Sequence, residues 1–336
     1  MITVEHLTKC YGDFMAVDDL SFEIDEGHVY GFLGPNGAGK STTMNIITGC
    51  LSATEGKVTI GGYDIFEEPN QAKRLIGYLP EQPPLYMNET PVEYLHFVGS
   101  AKGLKGKKLK EQVEVVIQKT KIEDVKNRLI SKLSKGYKQR VGIAQALLGN
   151  PKVIILDEPT VGLDPIQIIE IRDLIRQLGQ EHTVILSSHI LSEVQAICEK
   201  VLIIAKGKLV AFDAPENLER LLLAQNGVSF TVEADTEEVK EVLENIDQAV
   251  EWSSEKLEDG AVKVYAQVES ALLREFCRQV FFAFAQKDRA IVEMVSKKAN
   301  LEDVFIELTE DTAAGSALAE SDASKKEEES KEVSDQ

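Results

Sequence analysis

Residues 34–41 decide the fold of this chain: Gly34-Pro35-Asn36-Gly37-Ala38-Gly39-Lys40-Ser41. The segment matches the pattern GxxxxGK[ST], in which glycines let a loop curl so that backbone N–H groups point at phosphate oxygens. Short β-rich runs precede it within residues 1–33, and a helix is predicted from about Lys40 to Thr48. The alternative is a glycine-rich turn that merely joins a strand to a helix. The complete motif in a strand–loop–helix setting favours a phosphate site.

Side chains at the end of this loop extend the prediction to a triphosphate and its metal ion. Lys40 brings a positive charge to the β- and γ-phosphates, and the Ser41 hydroxyl can bind Mg²⁺. Thr42 lies one step further into the helix and offers a second hydroxyl. The helix N-terminus adds its own positive dipole end.

Two carboxylates follow the apolar strand predicted at Val153–Leu156. Ligands bind at the C-terminal ends of parallel strands in open α/β folds, so both carboxylates are expected at the phosphate site. Asp157 suits the Mg²⁺ shell, while Glu158 suits the attacking water, as its base or its orienter. Taken alone, an apolar run ending in Asp-Glu is also typical of a solvated turn at a strand end.

A histidine follows the next predicted strand, Val184–Ser187. His189 is expected at the same edge of the sheet, where a neutral imidazole can donate to a phosphate oxygen or hold the water. A lone histidine at a strand end is otherwise most often a polar surface residue.

The segment Leu133-Ser134-Lys135-Gly136-Tyr137-Lys138-Gln139-Arg140 completes a recognisable set. It resembles Leu-Ser-Gly-Gly-Gln, the signature of the nucleotide-binding subunits of ABC transporters. The resemblance implies that Ser134 and Gly136 head a helix that caps the γ-phosphate of ATP held by a second subunit. Lys135 and Tyr137 replace the usual Gly and Gln, a variant similar to the type-2 exporter subgroup (drug, polysaccharide, sodium or gliding-type). We hypothesise that Lys135 supplies an extra positive charge to the phosphate.

The same resemblance implies roles for three further residues. Tyr11 matches the aromatic residue on which adenine stacks, although it also fits an ordinary strand-edge aromatic. Gln82 matches the glutamine that reaches Mg²⁺ and the water and links the site to the membrane partner; glutamines in Pro-rich loops are commonly inert. Asp164 matches a loop that crosses the subunit interface, and it equally suits a helix entry before Pro165.

The predicted site therefore combines catalytic, nucleotide-binding and metal-binding residues, with ATP and Mg²⁺ as cofactors. The catalytic residues are Glu158, His189 and Gln82, and the metal ligands are Ser41, Gln82 and Asp157. The nucleotide-binding residues are Tyr11, Gly34, Pro35, Asn36, Gly37, Ala38, Gly39, Lys40, Ser41, Thr42, Ser134, Gly136 and Asp164.

The predicted fold class is α/β, a P-loop NTPase of the ABC-cassette type with a mostly parallel sheet. Its ATP-binding domain is predicted over residues 1–224, with a helical subdomain at about 83–150. Residues 225–311 read as a small α+β domain in the order β-α-β-β-α-β, with its second strand at Ala249–Trp252. A last helix is predicted at Leu301–Leu308, and residues 312–336 are expected to be a disordered acidic tail.

Charge and composition limit the possible partners. The formal net charge is −19, and residues 225–311 hold 9 basic against 20 acidic side chains, so a nucleic-acid partner is not expected. The cysteines show no CxxC pair, which favours free thiols in a reducing compartment. No apolar run approaches the roughly 20 residues that span a bilayer, and the N-terminus lacks a signal-peptide pattern. A cytoplasmic subunit is therefore expected, held at the inner face of the membrane by a partner.

The predicted function is an ATPase that works as a nucleotide-sandwich dimer, with itself or a homologous subunit, and drives a multi-span permease, as an exporter. One alternative is an ATPase of the same fold acting on ribosomes or DNA. Such relatives usually carry two cassettes or a long coiled coil, whereas this chain has one phosphate loop. Another alternative is a regulatory protein without turnover, which the presence of Glu158 and His189 disfavours.

Overall fold

A computed structural model describes residues 1–221, 227–246, 251–257, 260–268 and 272–297. Contacts divide them into two compact units, and the chain passes from the first to the second between Pro215 and Glu216. The domain boundary predicted after residue 224 falls in a segment outside the described residues, so it stays a prediction. The helix predicted at Leu301–Leu308 and the tail at 312–336 also lie outside them.

The first unit contains both strands and helices, which alternate from β7 to β9. Its strands are β1 (Ile2–Tyr11), β2 (Phe14–Ile24), β3 (Val29–Leu33), β4 (Glu55–Ile60), β5 (Tyr63–Asp64), β6 (Ile76–Leu79), β7 (Val153–Leu156), β8 (Thr183–Ser188), β9 (Lys200–Ala205) and β10 (Lys208–Asp213). Its helices are α1 (Lys40–Ile47), α2 (Pro69–Arg74), α3 (Pro91–Ala101), α4 (Gly106–Lys119), α5 (Lys135–Leu147), α6 (Pro165–Gly179) and α7 (Leu191–Ile197). A further helix, α8 (Pro215–Leu221), begins at the boundary between the units.

The central sheet has the strand order β10-β9-β3-β8-β7-β6. Neighbours from β9 to β6 pair in parallel, and β10 joins the β9 edge antiparallel. Every residue of β3, β7 and β8 is buried, as expected for strands that are covered on both faces. The prediction of a mostly parallel sheet is confirmed. Its topology brings the C-terminal ends of β3, β7 and β8 side by side.

A second, antiparallel sheet packs over the first helix of this unit. Its strand order is β2-β1-β4-β5. The core between the two sheets contains fully buried side chains from both, among them Leu20, Tyr30 and Met44. Phe22 and Phe32 meet edge to face there, with ring centroids 5.7 Å apart. This packing fixes the strand that enters the phosphate loop.

Helices α3, α4 and α5 form the predicted helical subdomain between β6 and β7. Thr90 and Glu93 close a capping box at the start of α3, which satisfies N–H groups that the first turn leaves free. At its other end, Lys102 Nζ donates to the carbonyl oxygens of Gln145 and Leu148, each at 2.9 Å. A cation suits the carbonyls at the end of α5, so this lysine ties α3 to the helix that carries the signature segment.

Gly77 in β6 lies where α5 comes closest to the sheet. An added Cβ would overlap the Ala146 carbonyl oxygen and lie 2.9 Å from its carbon. Because backbone cannot move aside as a side chain can, we expect Gly77→Ala to lower the free energy of unfolding by about 3 kcal/mol. Urea unfolding followed by circular dichroism would measure it. Gly103→Ala is the control, because an added Cβ at Gly103 meets no atom within 4 Å. The left-handed backbone alone should lower the free energy of unfolding of that variant by about 1 kcal/mol. Equal losses in both variants would contradict this reading of Gly77.

The second unit has the order β-α-β-β-α-β that the sequence predicts. The elements are β11 (Gly227–Val232), α9 (Thr236–Glu244), β12 (Trp252–Lys256), β13 (Val262–Gln267), α10 (Leu273–Gln286) and β14 (Ile291–Lys297). Its antiparallel sheet has the order β12-β13-β11-β14, and its core includes Phe230, Phe276 and Phe284. The second strand begins at Trp252, later than predicted. It is an edge strand with a polar exposed face, so an apolar run does not mark it.

None of the helices within the described residues is long and apolar enough to cross a bilayer. The cysteines are free thiols, as predicted. Cys198 is buried, and desolvation raises the pKa of its thiol.

Candidate nucleotide site

The phosphate loop runs from the end of β3 to the start of α1, and its conformation demands glycine. Gly37 and Gly39 have φ angles of +83° and +103°, in the left-handed region that glycine adopts without strain. A Cβ on Gly39 would lie 2.5 Å from the Ala16 carbonyl oxygen, and one on Gly34 would overlap that of Ile204. The motif glycines therefore let the loop curl against the strands beneath it.

The Lys40 side chain is buried against the backbone of this loop. It is 6% exposed, and Nζ donates to the carbonyl oxygens of Gly34 at 2.8 Å and Pro35 at 3.2 Å. Burial lowers the pKa of Lys40 below its ordinary value, because desolvation disfavours the charged form. The carboxylates of Glu158 and Asp157 act in the opposite direction and favour the charged ammonium.

Asp157 lies at the end of β7, beside the helix that the loop opens. Its carboxylate accepts hydrogen bonds from Ser187 Oγ at 2.5 Å and from Ser41 Oγ at 3.4 Å. These side chains offer the hard oxygen donors that Mg²⁺ prefers, and that ion usually takes its other ligands from phosphates and water. The donor set of Ser41 and Asp157 thus fits Mg²⁺ bound together with a nucleotide.

Glu158 and His189 form a pair across the ends of β7 and β8. His189 Nδ1 lies 3.1 Å from Oε1 and 3.0 Å from Oε2 of Glu158. Because a carboxylate oxygen can only accept, the hydrogen of this contact is on Nδ1. Glu158 has φ of +48°, and its N–H donates to Ser187 Oγ at 2.9 Å. The backbone at this carboxylate is held in an uncommon, left-handed conformation.

One cavity of about 470 Å³ joins many of the predicted residues. Tyr11 is half exposed at its edge, and Gln82 is exposed but does not line the wall, where its neighbour Glu81 does. Gly34, Pro35 and Ala38 belong to the loop without lining the cavity. The predicted residues that do line it are Tyr11, Asn36, Gly37, Gly39, Lys40, Ser41, Thr42, Glu158 and His189.

The remaining predicted residues lie together in a different place. Ser134, Gly136 and Asp164 line a separate cavity of about 470 Å³. Ser134 caps α5 by accepting from the Tyr137 N–H at 3.3 Å, and Asp164 caps α6 in the same way. One chain therefore carries two halves of the predicted site, apart from each other.

Lys135, which replaces the usual glycine, does not line either cavity. Its ammonium lies against Gly162, in the loop that leads to Asp164. Its proposed contact with a phosphate stays a hypothesis.

Four residues that line the nucleotide cavity were not among those predicted, Phe14, Ala16, Glu81 and Val161, and neither was Ser187 beside it. Phe14 pairs with Tyr11 across the β1–β2 turn and is 64% exposed, so an exposed aromatic beside Tyr11 was the available signal. Glu81 adjoins Gln82 in the same loop. Ser187 holds both Asp157 and the Glu158 N–H, and its position at the end of the strand next to β7 could have indicated it.

Comparisons with known proteins agree with this geometry. The sequence model of the family described as ABC transporter matches residues 17–161. The chain is 35% identical to the ABC transporter ATP-binding protein YhcH of Bacillus subtilis (strain 168), over 93% of this chain and 97% of that protein. It is 34% identical to the bacitracin transport ATP-binding protein BcrA of Bacillus licheniformis, over 92% and 97%.

Solved structures show the same fold. The ATP-binding cassette MJ0796, in a dimeric post-hydrolysis state bound to ADP and Pi, aligns with a TM-score of 0.58 and 27% identity. The alignment covers 64% of this chain and 98% of that one. From the matched family, the full-length relatives and the loop around Lys40, we conclude that this chain belongs to the ABC transporter ATP-binding subunits and binds and hydrolyses ATP for transport.

Proposed function

We propose that two copies of this subunit face each other and that each ATP is bound between the Lys40 loop of one copy and the Ser134 helix of the other. The observation that carries this proposal is the separation within one chain. Lys40, Glu158 and His189 line one cavity, whereas Ser134 and Asp164 line another. A second copy, or a homologous subunit, supplies the missing half of each site. The dimeric state of the related cassette MJ0796 supports this arrangement.

Each half contributes a different part of phosphate binding. The loop N–H groups and Lys40 bind the β- and γ-phosphates. Ser41 and Asp157 would hold Mg²⁺, which would neutralise charge on the phosphate oxygens. Tyr11 provides an exposed ring for the adenine. From the partner, the N-terminus of α5 with Ser134 and Gly136 presents N–H groups to the γ-phosphate.

Glu158 and His189 perform the hydrolytic step in this proposal. The Glu158 carboxylate orients the attacking water and accepts its proton, and His189 holds that carboxylate through Nδ1. Closure by the partner completes the site only when ATP is bound, which restrains hydrolysis in the free subunit. Gln82 is exposed next to the cavity and suits a contact that reports nucleotide state to another protein.

We also propose that the subunit drives export through a separate multi-span permease and is held at the inner face of the membrane by it. The variant signature, which resembles that of the exporter subgroup, supports export, and the similarity to a bacitracin transport protein supports a role in transport. An ABC-fold ATPase in a non-transport process is the alternative. Co-purification of a multi-span permease from solubilised membranes separates the two, whereas co-purification of ribosomes or DNA would contradict transport.

Mixing two inactive variants tests the shared site. Lys40→Ala disables the phosphate loop. Ser134→Asp keeps an efficient helix cap but places a negative charge against the γ-phosphate. In a mixed dimer, one site combines both defects and the other combines neither. We therefore expect phosphate release to recover to about a quarter of the wild-type rate for random pairing in a two-fold dimer.

The control for this experiment is each variant at the total concentration used in the mixture. Each should stay inactive alone, because its two sites carry the same defect. A double variant with both changes, mixed with the inactive Lys40→Ala protein, should show no recovery. If mixing gives no activity above the separate variants while mixed dimers are present, the shared site is refuted.

A further inference from the structure

A buried carboxylate outside the nucleotide cavity has no part in the chemistry described so far. Glu193 on α7 is only 3% exposed and does not line the cavity. Its Oε2 accepts a short hydrogen bond from Thr160 Oγ1 and a longer one, at 3.4 Å, from Ser188 Oγ. Burying a carboxylate is costly unless it is paired and hydrogen-bonded, so this position needs an explanation.

The two hydroxyl partners belong to the two loops that carry the catalytic pair. Thr160 follows Glu158 by two residues, and Ser188 immediately precedes His189. Both partners are buried, at 5% and 1% exposure. One oxygen of Glu193 therefore contacts the chain just after the base and just before the histidine.

The contact between Glu193 and Thr160 matters because of the backbone conformation at Glu158. A non-glycine residue in a left-handed conformation is strained and persists only where its surroundings hold it. The Ser187 hydroxyl accepts from the Glu158 N–H on one side. On the other side, Thr160 is held by Glu193. The conformation that points the base at the cavity is thus restrained from both directions.

The other oxygen of Glu193 faces a helix that begins at the proposed dimer interface. Arg172 on α6 places its guanidinium 3.8 Å from Oε1, and its buried Nε has no hydrogen-bond partner among the residues that the structure describes. Helix α6 is capped by Asp164, about 12 Å from Arg172 along the helix axis. Glu193 therefore lies between the catalytic loops and the helix that Asp164 starts.

We propose that Glu193 is a positioning residue for ATP hydrolysis: it holds the loops that carry Glu158 and His189 in fixed positions relative to each other. This inference rests on the proposed roles of Glu158 and His189. Glu193 does not line the nucleotide cavity; it acts through Thr160 and Ser188. Loss of the carboxylate leaves the phosphate loop intact and lets the base drift from the reacting atoms.

Glu193→Ala is expected to lower kcat of the full-length protein by about 10- to 100-fold, the effect of a misplacement near 1 Å, while the Kd for ATP changes less than about 3-fold. Glu193→Gln keeps an acceptor for both hydroxyls and should regain most of the lost rate. Thr160→Val removes one hydroxyl at nearly constant shape and should lower kcat in the same direction. The matched control is Glu181→Gln, which removes an exposed carboxylate paired with Lys119.

A double-mutant cycle and a spectroscopic signal separate positioning from a merely structural role. If Thr160 and Glu193 act through one bond, Glu193→Ala should add little to the loss already caused by Thr160→Val. The His189 ring proton resonance, identified among the five histidines, should shift in both variants and stay in place in Glu181→Gln.

Full kcat in folded Glu193→Ala, additive losses in the cycle, or an unmoved His189 resonance would each overturn the proposal. If Glu193→Ala does not fold, Thr160→Val decides, since it retains the buried carboxylate. The assignment of Glu158 fails separately, if Glu158→Gln keeps full turnover, whatever Glu193 does.

Discussion

Glu158→Gln is expected to lower kcat for ATP hydrolysis by on the order of 10² or more while leaving ATP binding intact. The amide keeps the shape of the side chain and can still contact His189, but it cannot accept a proton from the water. The carboxylate is only 9% exposed and lines the cavity beside Lys40, so bulk solvent is a poor substitute for it. Bound ATP should then persist.

Because bound ATP should persist in Glu158→Gln, the oligomeric state of this variant gives a second measurement. If the nucleotide joins the two copies, the variant should elute as a dimer with Mg·ATP and as a monomer without nucleotide. Glu81→Gln is the matched control, because Glu81 lines the same cavity, whereas the hydrogen bonds of His189 within the described residues go to Glu158. It should retain most of the turnover. Unchanged phosphate release from Glu158→Gln would show that another group activates the water.

Much of this site follows from the sequence because parallel strands align their C-terminal ends. The phosphate loop, Asp157, Glu158 and His189 each follow a strand, and the order β3-β8-β7 makes those ends neighbours. The motif spacing therefore predicts a three-dimensional cluster. The position of Gln82 could not be predicted in the same way, because it lies in a Pro-rich loop whose path is set by packing rather than by period.

Contacts across long separations in the chain are the part that the sequence conceals. In the sequence, Glu193 is a polar residue on a short helix. In the structure it is buried against Thr160, which lies 33 residues earlier in the chain. The position predicted for the polar edge strand β12 was wrong for a related reason. The strand carries no apolar run, and only its pairing with β13 defines it. The order of elements in the second unit was predictable in part because β11 and β13 each place an apolar residue at every second position.

Lys40→Ala is expected to weaken ATP binding by about 10- to 100-fold, the value of one charge-assisted contact to phosphate. In the structure, this ammonium already donates to the Gly34 and Pro35 carbonyls, so it is aimed into the loop that phosphates would enter. A fluorescent ATP analogue titrated into the purified protein would measure the Kd. Lys73→Ala is the control, since Lys73 also donates to a backbone carbonyl, that of Gly49, outside the cavity.

The pH dependence of binding distinguishes a charge effect from a simple change in loop shape. Because burial lowers the pKa of Lys40, the ammonium loses its proton at a lower pH than an ordinary lysine does. Only the protonated form attracts phosphate, so the affinity of the wild type should fall as the pH rises toward that pKa. Lys40→Ala should lack this component of the pH profile, and Lys73→Ala should keep it. A wild-type affinity in Lys40→Ala, or an identical pH profile in both proteins, would mean that phosphate is held by the loop N–H groups without the lysine.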